Sequence, residues 1–278
     1  MVFTNTCDGH YDAMDVHFTY VCDNNCDFCI DKMYEKQNYK ININKMIKQV
    51  RKEKPSIMLI LGGEPFIFPE KLFMFISNII EDVNELYITT TLPKIFIDDK
   101  RKLVDKIMNK ITGLNISIQS LDWEENNKIL KAKSKHNRIE IMDKLIKKYS
   151  EKIRINLNLV KGGIDSKDKL DNILNYLNNV GCKKVKVNEL QHTHKSYISY
   201  ENIMNINLKS PYAYGCQTFL KYKNIEILVK RACFITEWSN KATILDVFKL
   251  IIQLFKKRKK YRVLWGDGII TNNWRRTC

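Results

Sequence analysis

The sequence predicts an α/β fold in which parallel strands alternate with helices, and three observations lead to it. Six β-rich runs alternate with helical patterns across roughly the first 190 of the 278 residues, as parallel βα units do. Several of those runs are polar on one face and apolar on the other, because side chains repeat every two residues along a strand. A cysteine-rich loop and a glycine turn follow the first two runs, at strand C-terminal ends, where βα barrels place their chemistry.

The first strand is expected from Asp15 to Tyr20, where polar residues alternate with Val16, Phe18 and Tyr20. The cysteine loop comes next, then a helix over about 44–53 with Ile43, Met46, Ile47 and Val50 at helical spacing. The apolar run Ile57 to Leu61 reads as a second strand and ends at Gly62-Gly63-Glu64-Pro65. Pro69 opens a helix to about Val83. A strand at 86–91, a helix over about 98–110 and a strand at 114–119 follow. A long polar helical region then ends near Tyr149, and the strand at 153–160 comes next. A helix over about 166–179 leads through Gly181 to a sixth strand at 183–189.

The strand alternation says more than the strand count. Asp15, His17 and Thr19 share one face, as do Asn115, Ser117 and Gln119, and Arg154, Asn156 and Asn158. The opposite faces are apolar. A parallel sheet buried on both sides reads as continuous apolar runs. The polar face therefore fits either a barrel lumen that holds a polar ligand or a curved, incomplete barrel partly open to solvent.

Composition narrows the classes. A hydrophobic fraction of 44% can fill a sizeable core, and the length suits one α/β barrel with an appendage. Three of the eight cysteines crowd one loop of a large, helix-rich chain, so metal binding in a reducing cytosol is favoured over a disulfide framework. The first residues show no secretory pattern, and the apolar stretch from Ile244 to Phe255 is broken by Asp246, Lys249 and Gln253. A cytoplasmic protein without a membrane span is expected. The formal charge of +16 is compatible with an acidic partner, including nucleic acid, or with a bias towards lysine that reflects no partner at all.

The sharpest motif is Cys22-x3-Cys26-x2-Cys29, with Phe28 just before the third cysteine. Soft thiolates from one short loop suit an iron–sulfur cluster; zinc ligation and simple burial are the competing readings. Three thiolates on a cluster of four irons leave one iron open to a cosubstrate. The two histidines of Gln191-His-Thr-His194 are read as polar loop residues in preference to zinc ligands.

With these residues in place, the chain resembles the radical SAM superfamily. The resemblance rests on the C-x3-C-x2-C loop after the first strand, the aromatic Phe28 and the Gly-Gly-Glu-Pro turn after the second. It implies a partial (β/α)6 barrel and a 4Fe–4S cluster on Cys22, Cys26 and Cys29, with S-adenosylmethionine chelating the free iron. Gly62, Gly63 and Glu64 would lie along its methionine part, with Ser117 and Gln119 at the ribose. Asn158 would be a further polar contact, and the adenine would lie against strand six near Val187 to Leu190. The implied reaction is reductive cleavage of S-adenosylmethionine to a 5′-deoxyadenosyl radical that takes hydrogen from a substrate. An electron donor such as flavodoxin or ferredoxin is implied as a partner.

Beyond about residue 190 the alternation stops, which divides the chain into a barrel at 1–190 and a small α+β extension at 191–278. Two hairpins are expected there, one turning at Lys223-Asn224 and one at Gly266-Asp-Gly268, with a helix over about 243–257 between them. Cys216, Cys233 and Cys278 flank the hairpins and resemble the ligands of an auxiliary iron–sulfur cluster in twitch-like extensions, although the usual close cysteine pairs are missing. Cys182 reads as a core residue. The basic run Lys256 to Arg262, with Tyr261, Trp265 and Trp274 nearby, could hold an acidic peptide or a nucleic-acid strand. The expected function is a radical SAM peptide maturase. The alternatives are a nucleotide or tRNA-base modifier, or a non-catalytic iron–sulfur or zinc module.

Overall fold

The computed structural model describes residues 12–32, 39–98, 101–190, 194–205, 217–231 and 262–272. Six parallel strands form the centre: β1 (Ala13–His17), β2 (Ile57–Leu61), β3 (Glu85–Thr90), β4 (Gly113–Ile118), β5 (Ile153–Leu159) and β6 (Lys184–Glu189). They are joined by α1 (Ile43–Glu53), α2 (Pro69–Ile79), α3 (Arg101–Lys110), α4 (Trp123–Leu130), α5 (Arg138–Tyr149) and α6 (Lys167–Asn179). A short α7 (Tyr200–Met204) follows. Then come the hairpins β7 (Gln217–Tyr222) with β8 (Ile225–Lys230), and β9 (Arg262–Trp265) with β10 (Ile270–Thr271).

All ten strands belong to one sheet, ordered β10-β9-β1-β2-β3-β4-β5-β6-β8-β7. Each hairpin lays one strand parallel to an edge of the six-stranded core. β9 pairs with β1, placing Trp265 beside His17, and β8 pairs with β6, placing Val229 beside Val187. The outer strands β10 and β7 run antiparallel to them. The tail hairpins therefore cover the strand edges that the six βα units would leave unpaired.

The core lies between the sheet and the helices. Val16, Ile60, Ile88, Ile116, Leu157 and Val187 point outward from the strands and pack with Met46, Leu72, Phe75, Ile76 and Leu174 of the helices. The alternate strand residues face inward, and there the expected polar surface is found: Asp15, His17, Asn115, Arg154 and Asn156 are buried there. The described strands make an open sheet, with β10 and β7 at its edges.

Three boundaries differ from expectation. β1 starts at Ala13 and stops at His17; Phe18 N–H still donates to Leu61 O at 2.8 Å, and the backbone beyond it binds the glycine turn, with Gly63 N–H donating to the carbonyl of Thr19 at 2.5 Å. α2 ends at Ile79, short of Val83. The long helical region before Tyr149 is two helices. Asp122 caps α4, Lys131 ends it in the left-handed region at φ 48°, and Asn137 caps α5. The break matters because Lys133 N–H in it donates to the carbonyl of Asp23 in the cysteine loop. Among the described residues, no helix is long and apolar enough to cross a membrane.

Candidate functional site

The cysteine loop leaves the C-terminal end of β1 and closes through a 3-10 turn at Ile30–Lys32. Cys22, Cys26 and Cys29 are free and half-buried. Backbone groups hold the loop: Asn24 N–H points at Cys22 Sγ at 3.4 Å, and Asn25 N–H donates to the carbonyl of Leu130 at the end of α4 at 3.0 Å. Burial pushes the thiols of Cys22 and Cys26 up to about 12 and raises that of Cys29. Thiolates there need a strong cationic partner, which a cluster supplies.

The Gly-Gly-Glu-Pro turn abuts this loop. Gly62 sits at φ 114°, and a Cβ there would lie 2.8 Å from the carbonyl oxygen of Thr19. A Cβ on Gly63 would collide with the carbonyl of Val21, one residue before Cys22. The absence of a Cβ at both glycines admits the close entry of the cysteine loop. Glu64 N–H then donates to Val21 O at 2.8 Å.

The carboxylate of Glu64 is turned inward and fully engaged. Oε1 accepts from Phe66 N at 3.2 Å and Thr90 Oγ1 at 2.9 Å, while Oε2 accepts from Thr91 N at 2.8 Å and Thr91 Oγ1 at 2.9 Å. Its backbone is engaged as well, since its carbonyl accepts from Ile67 N–H at 3.1 Å. Despite the four donors, burial pushes this carboxyl up to about 7.

Thr91 connects the turn to the loop. Its hydroxyl accepts from Asn24 Nδ2 at 2.6 Å while donating to Glu64, and its carbonyl accepts from Arg138 Nε at 2.9 Å. Neither Thr91 nor Arg138 was singled out from sequence. Arg138 is one cation among 47, and the only visible hint at Thr91 was a run of three threonines at a strand end.

The inward face of β4 and β5 carries the polar residues expected to meet a ligand. Register sets Ser117 beside Asn156 and Asn115 beside Arg154, and Asn158 stands beside Asn188 of β6. Gln119 is buried, and neither end of its side-chain amide has a partner. Asn115 Oδ1, Asn156 Oδ1 and Asn126 Nδ2 are also buried and unpartnered. Each such atom costs about 1–3 kcal/mol, a cost that a polar ligand removes. Phe28 is half-buried on the cysteine loop. Val187 requires correction: its side chain is in the hydrophobic core beside Leu157 and Val229, on the opposite face from Lys186 and Asn188. Only its backbone could meet an adenine from strand six.

A second cluster, also missed from sequence, backs the loop. His17 is fully buried, with Nε2 3.1 Å from Asp31 and Nδ1 2.6 Å from the hydroxyl of Tyr39. The rings of Tyr20 and Trp265 lie 4.3 and 4.7 Å from its own. Trp265 is thereby taken out of any nucleic-acid surface, and its Nε1 donates to Thr271. Arg262 is likewise buried, paired with Glu53 at 2.9 Å and with Asp12. Both residues are structural, contrary to the reading that joined them to a basic patch. His194 is engaged by the carbonyl of Asp27 and the N–H of Ser196. Cys182 is buried in the core, as expected. Cys216, Cys233, Cys278, His192, Trp274 and the lysine run at 256–260 lie outside the described residues, as does the helix expected over 243–257.

The site fits a cluster with a polar cosubstrate. Among the described residues, no three His, Cys, Asp or Glu side chains are placed to share one metal ion, as a mononuclear zinc needs. A cubane presents its irons at separate corners, each taking one thiolate. The buried, unpartnered amides of Asn115, Asn156 and Gln119 are polar groups that a cosubstrate would satisfy.

Residues 16–177 match the family model described as the Radical SAM superfamily. None of the curated proteins compared matches the chain. Among solved structures, SuiB of Streptococcus suis bound to S-adenosylmethionine superposes with a TM-score of 0.62 at 17% identity, over 95% of this chain and 60% of SuiB. SuiB bound to its precursor peptide SuiA gives 0.61 at 17% identity, over 95% and 59%. The chain thus spans about 60% of the length of these structures, and at this identity the likeness is one of fold.

Proposed function

The chain belongs to the radical SAM superfamily, and on that premise we propose that Cys22, Cys26 and Cys29 hold its cluster and that its substrate is a peptide. It is an enzyme whose cofactors are a 4Fe–4S cluster and S-adenosylmethionine. When bound, these supply one-electron cleavage that yields an organic radical able to take hydrogen from a substrate.

The observation that carries the ligand assignment is that the half-buried cysteine loop follows β1 and the buried, unpartnered amide of Gln119 follows β4, both at the C-terminal ends of parallel strands of one sheet. The thiolates of Cys22, Cys26 and Cys29 would hold the cluster in the loop after β1, where Asn24 N–H points towards the sulfur of Cys22. The backbone of Gly63 and Glu64 fixes the loop entry. Gln119, Ser117 and Asn158 offer donors and acceptors along the inner wall. Apolar packing behind the sheet keeps water from the outer side of the site.

The peptide reading is supported by the fold shared with SuiB, which is seen bound to a precursor peptide. An external one-electron donor of the flavodoxin or ferredoxin kind completes the proposal. The test is anaerobic incubation of the reconstituted protein with S-adenosylmethionine, reductant and the short peptides encoded beside its gene. A mass change in one peptide, accompanied by 5′-deoxyadenosine, supports the reading. Turnover on a nucleotide or tRNA substrate with no peptide product contradicts it.

A further inference from the structure

Arg138 is among the largest side chains that the fold buries completely, at 0% exposure, and it sits beside the cysteine loop. All three guanidinium nitrogens are used. Nε donates to Thr91 O at 2.9 Å. Nη1 donates to Asn127 Oδ1 and to Ser134 O at 3.2 Å. Nη2 reaches Asp23 Oδ2 at 3.3 Å and Asn24 Oδ1 at 3.5 Å. One cation thus ties the cysteine loop to the end of β3 and to the α4–α5 connection.

Burying a guanidinium is costly even after relaxation, and apolar side chains of similar volume would often hold a fold as well. The placement points to a purpose beyond cohesion. Asp23 and Asn24 lie between the first two cysteines, and the N–H of Asn24 points at Cys22 Sγ. Arg138 therefore positions a sulfur-directed donor and fixes a permanent positive charge close to Cys22 and Cys26. Reduction potentials of iron–sulfur clusters respond to these two influences, hydrogen bonds to sulfur and nearby charge. A one-electron reduction adds negative charge, which a fixed cation in a poorly screened site stabilises.

We infer that Arg138 is a positioning residue that raises the reduction potential of the cluster, with Asp23 as its partial counterweight. The inference rests on the assignment of Cys22, Cys26 and Cys29 as cluster ligands.

The test is an anaerobic potentiometric titration, followed by electron paramagnetic resonance, of the reconstituted wild type, Arg138→Gln, Arg138→Lys and Asp23→Asn. Removing the cation in Arg138→Gln moves the midpoint to more negative values, Arg138→Lys restores most of the shift, and Asp23→Asn moves the midpoint the other way. Wild-type midpoints in both Arg138→Gln and Asp23→Asn overturn the inference. So do shifts of the same sign in those two, because a mere disturbance of packing does not follow the sign of the charge removed. If Arg138→Gln takes up no cluster, Asp23→Asn decides alone: a positive shift supports the inference, and any other result overturns it. A wild-type chain that binds no iron overturns both the inference and the ligand assignment beneath it.

Discussion

Thr91 grips Glu64 twice, with its backbone N–H at 2.8 Å and its hydroxyl at 2.9 Å on the same carboxylate oxygen. The same hydroxyl accepts from Asn24 at 2.6 Å, so the end of β3, the glycine turn and the cysteine loop meet at one side chain. Thr91→Val keeps the shape and removes the hydroxyl, leaving Asn24 Nδ2 without its acceptor and Glu64 short of one donor. Chemical denaturation of the apoprotein is expected to show a loss of about 1–3 kcal/mol. An unchanged midpoint would show that the junction contributes nothing.

Glu64 gives a pH signature. Its carboxyl is raised to about 7 from 4.5, chiefly by burial. Between those values the unfolded chain has lost the proton while the folded chain keeps it, so stability falls as pH rises through that window. The stability of the wild type relative to Glu64→Gln is therefore expected to decline from about pH 4.5 to about pH 7 and to level off above. A relative stability that climbs over the same range would mean that the four donors outweigh burial.

The two kinds of glycine in the chain separate strain from collision. Gly181 lies at φ 85° with open space where a Cβ would be, whereas a Cβ on Gly63 meets the carbonyl of Val21. Gly181→Ala is expected to cost about 1–2 kcal/mol and to leave iron uptake intact. Gly63→Ala displaces the backbone next to Cys22 and is expected to abolish uptake. Iron assays on the two reconstituted variants distinguish them; equal iron contents would contradict the close approach.

Gln119 trades stability for binding. Replacing its unpartnered buried amide in Gln119→Leu is expected to leave the apoprotein as stable as the wild type or more so, because an orphaned polar group is removed. Affinity for S-adenosylmethionine is expected to fall about tenfold, the equivalent of about 1.4 kcal/mol, measured by calorimetry on the reconstituted protein. Undiminished affinity would remove Gln119 from the site.

Much of this was legible in the sequence because it was local. The alternation of Asn115, Ser117 and Gln119 with Leu114, Ile116 and Ile118 gave strand and inner face together, and the cysteine spacing gave the loop. The tail hairpins were visible from their turns at Lys223-Asn224 and Gly266-Asp-Gly268, but not their places at opposite edges of the central sheet, which depend on long-range pairing. Arg138 carries no local mark, since its five donors find partners in four separate stretches of chain. Trp265 and Arg262 were misread for the same reason. An aromatic beside lysines looks like a binding surface until β9 pairs with β1 and buries it.

The most direct test compares wild type, Cys26→Ala and Cys182→Ala after anaerobic reconstitution, measuring bound iron and 5′-deoxyadenosine formed from S-adenosylmethionine on reduction. The wild type and Cys182→Ala, whose thiol lies in the core, are expected to bind iron equally and to form 5′-deoxyadenosine, while Cys26→Ala loses both. Cleavage by Cys26→Ala at the wild-type rate, or a wild type that holds its cluster yet forms no 5′-deoxyadenosine, would contradict the assignment of this loop as the centre of the enzyme.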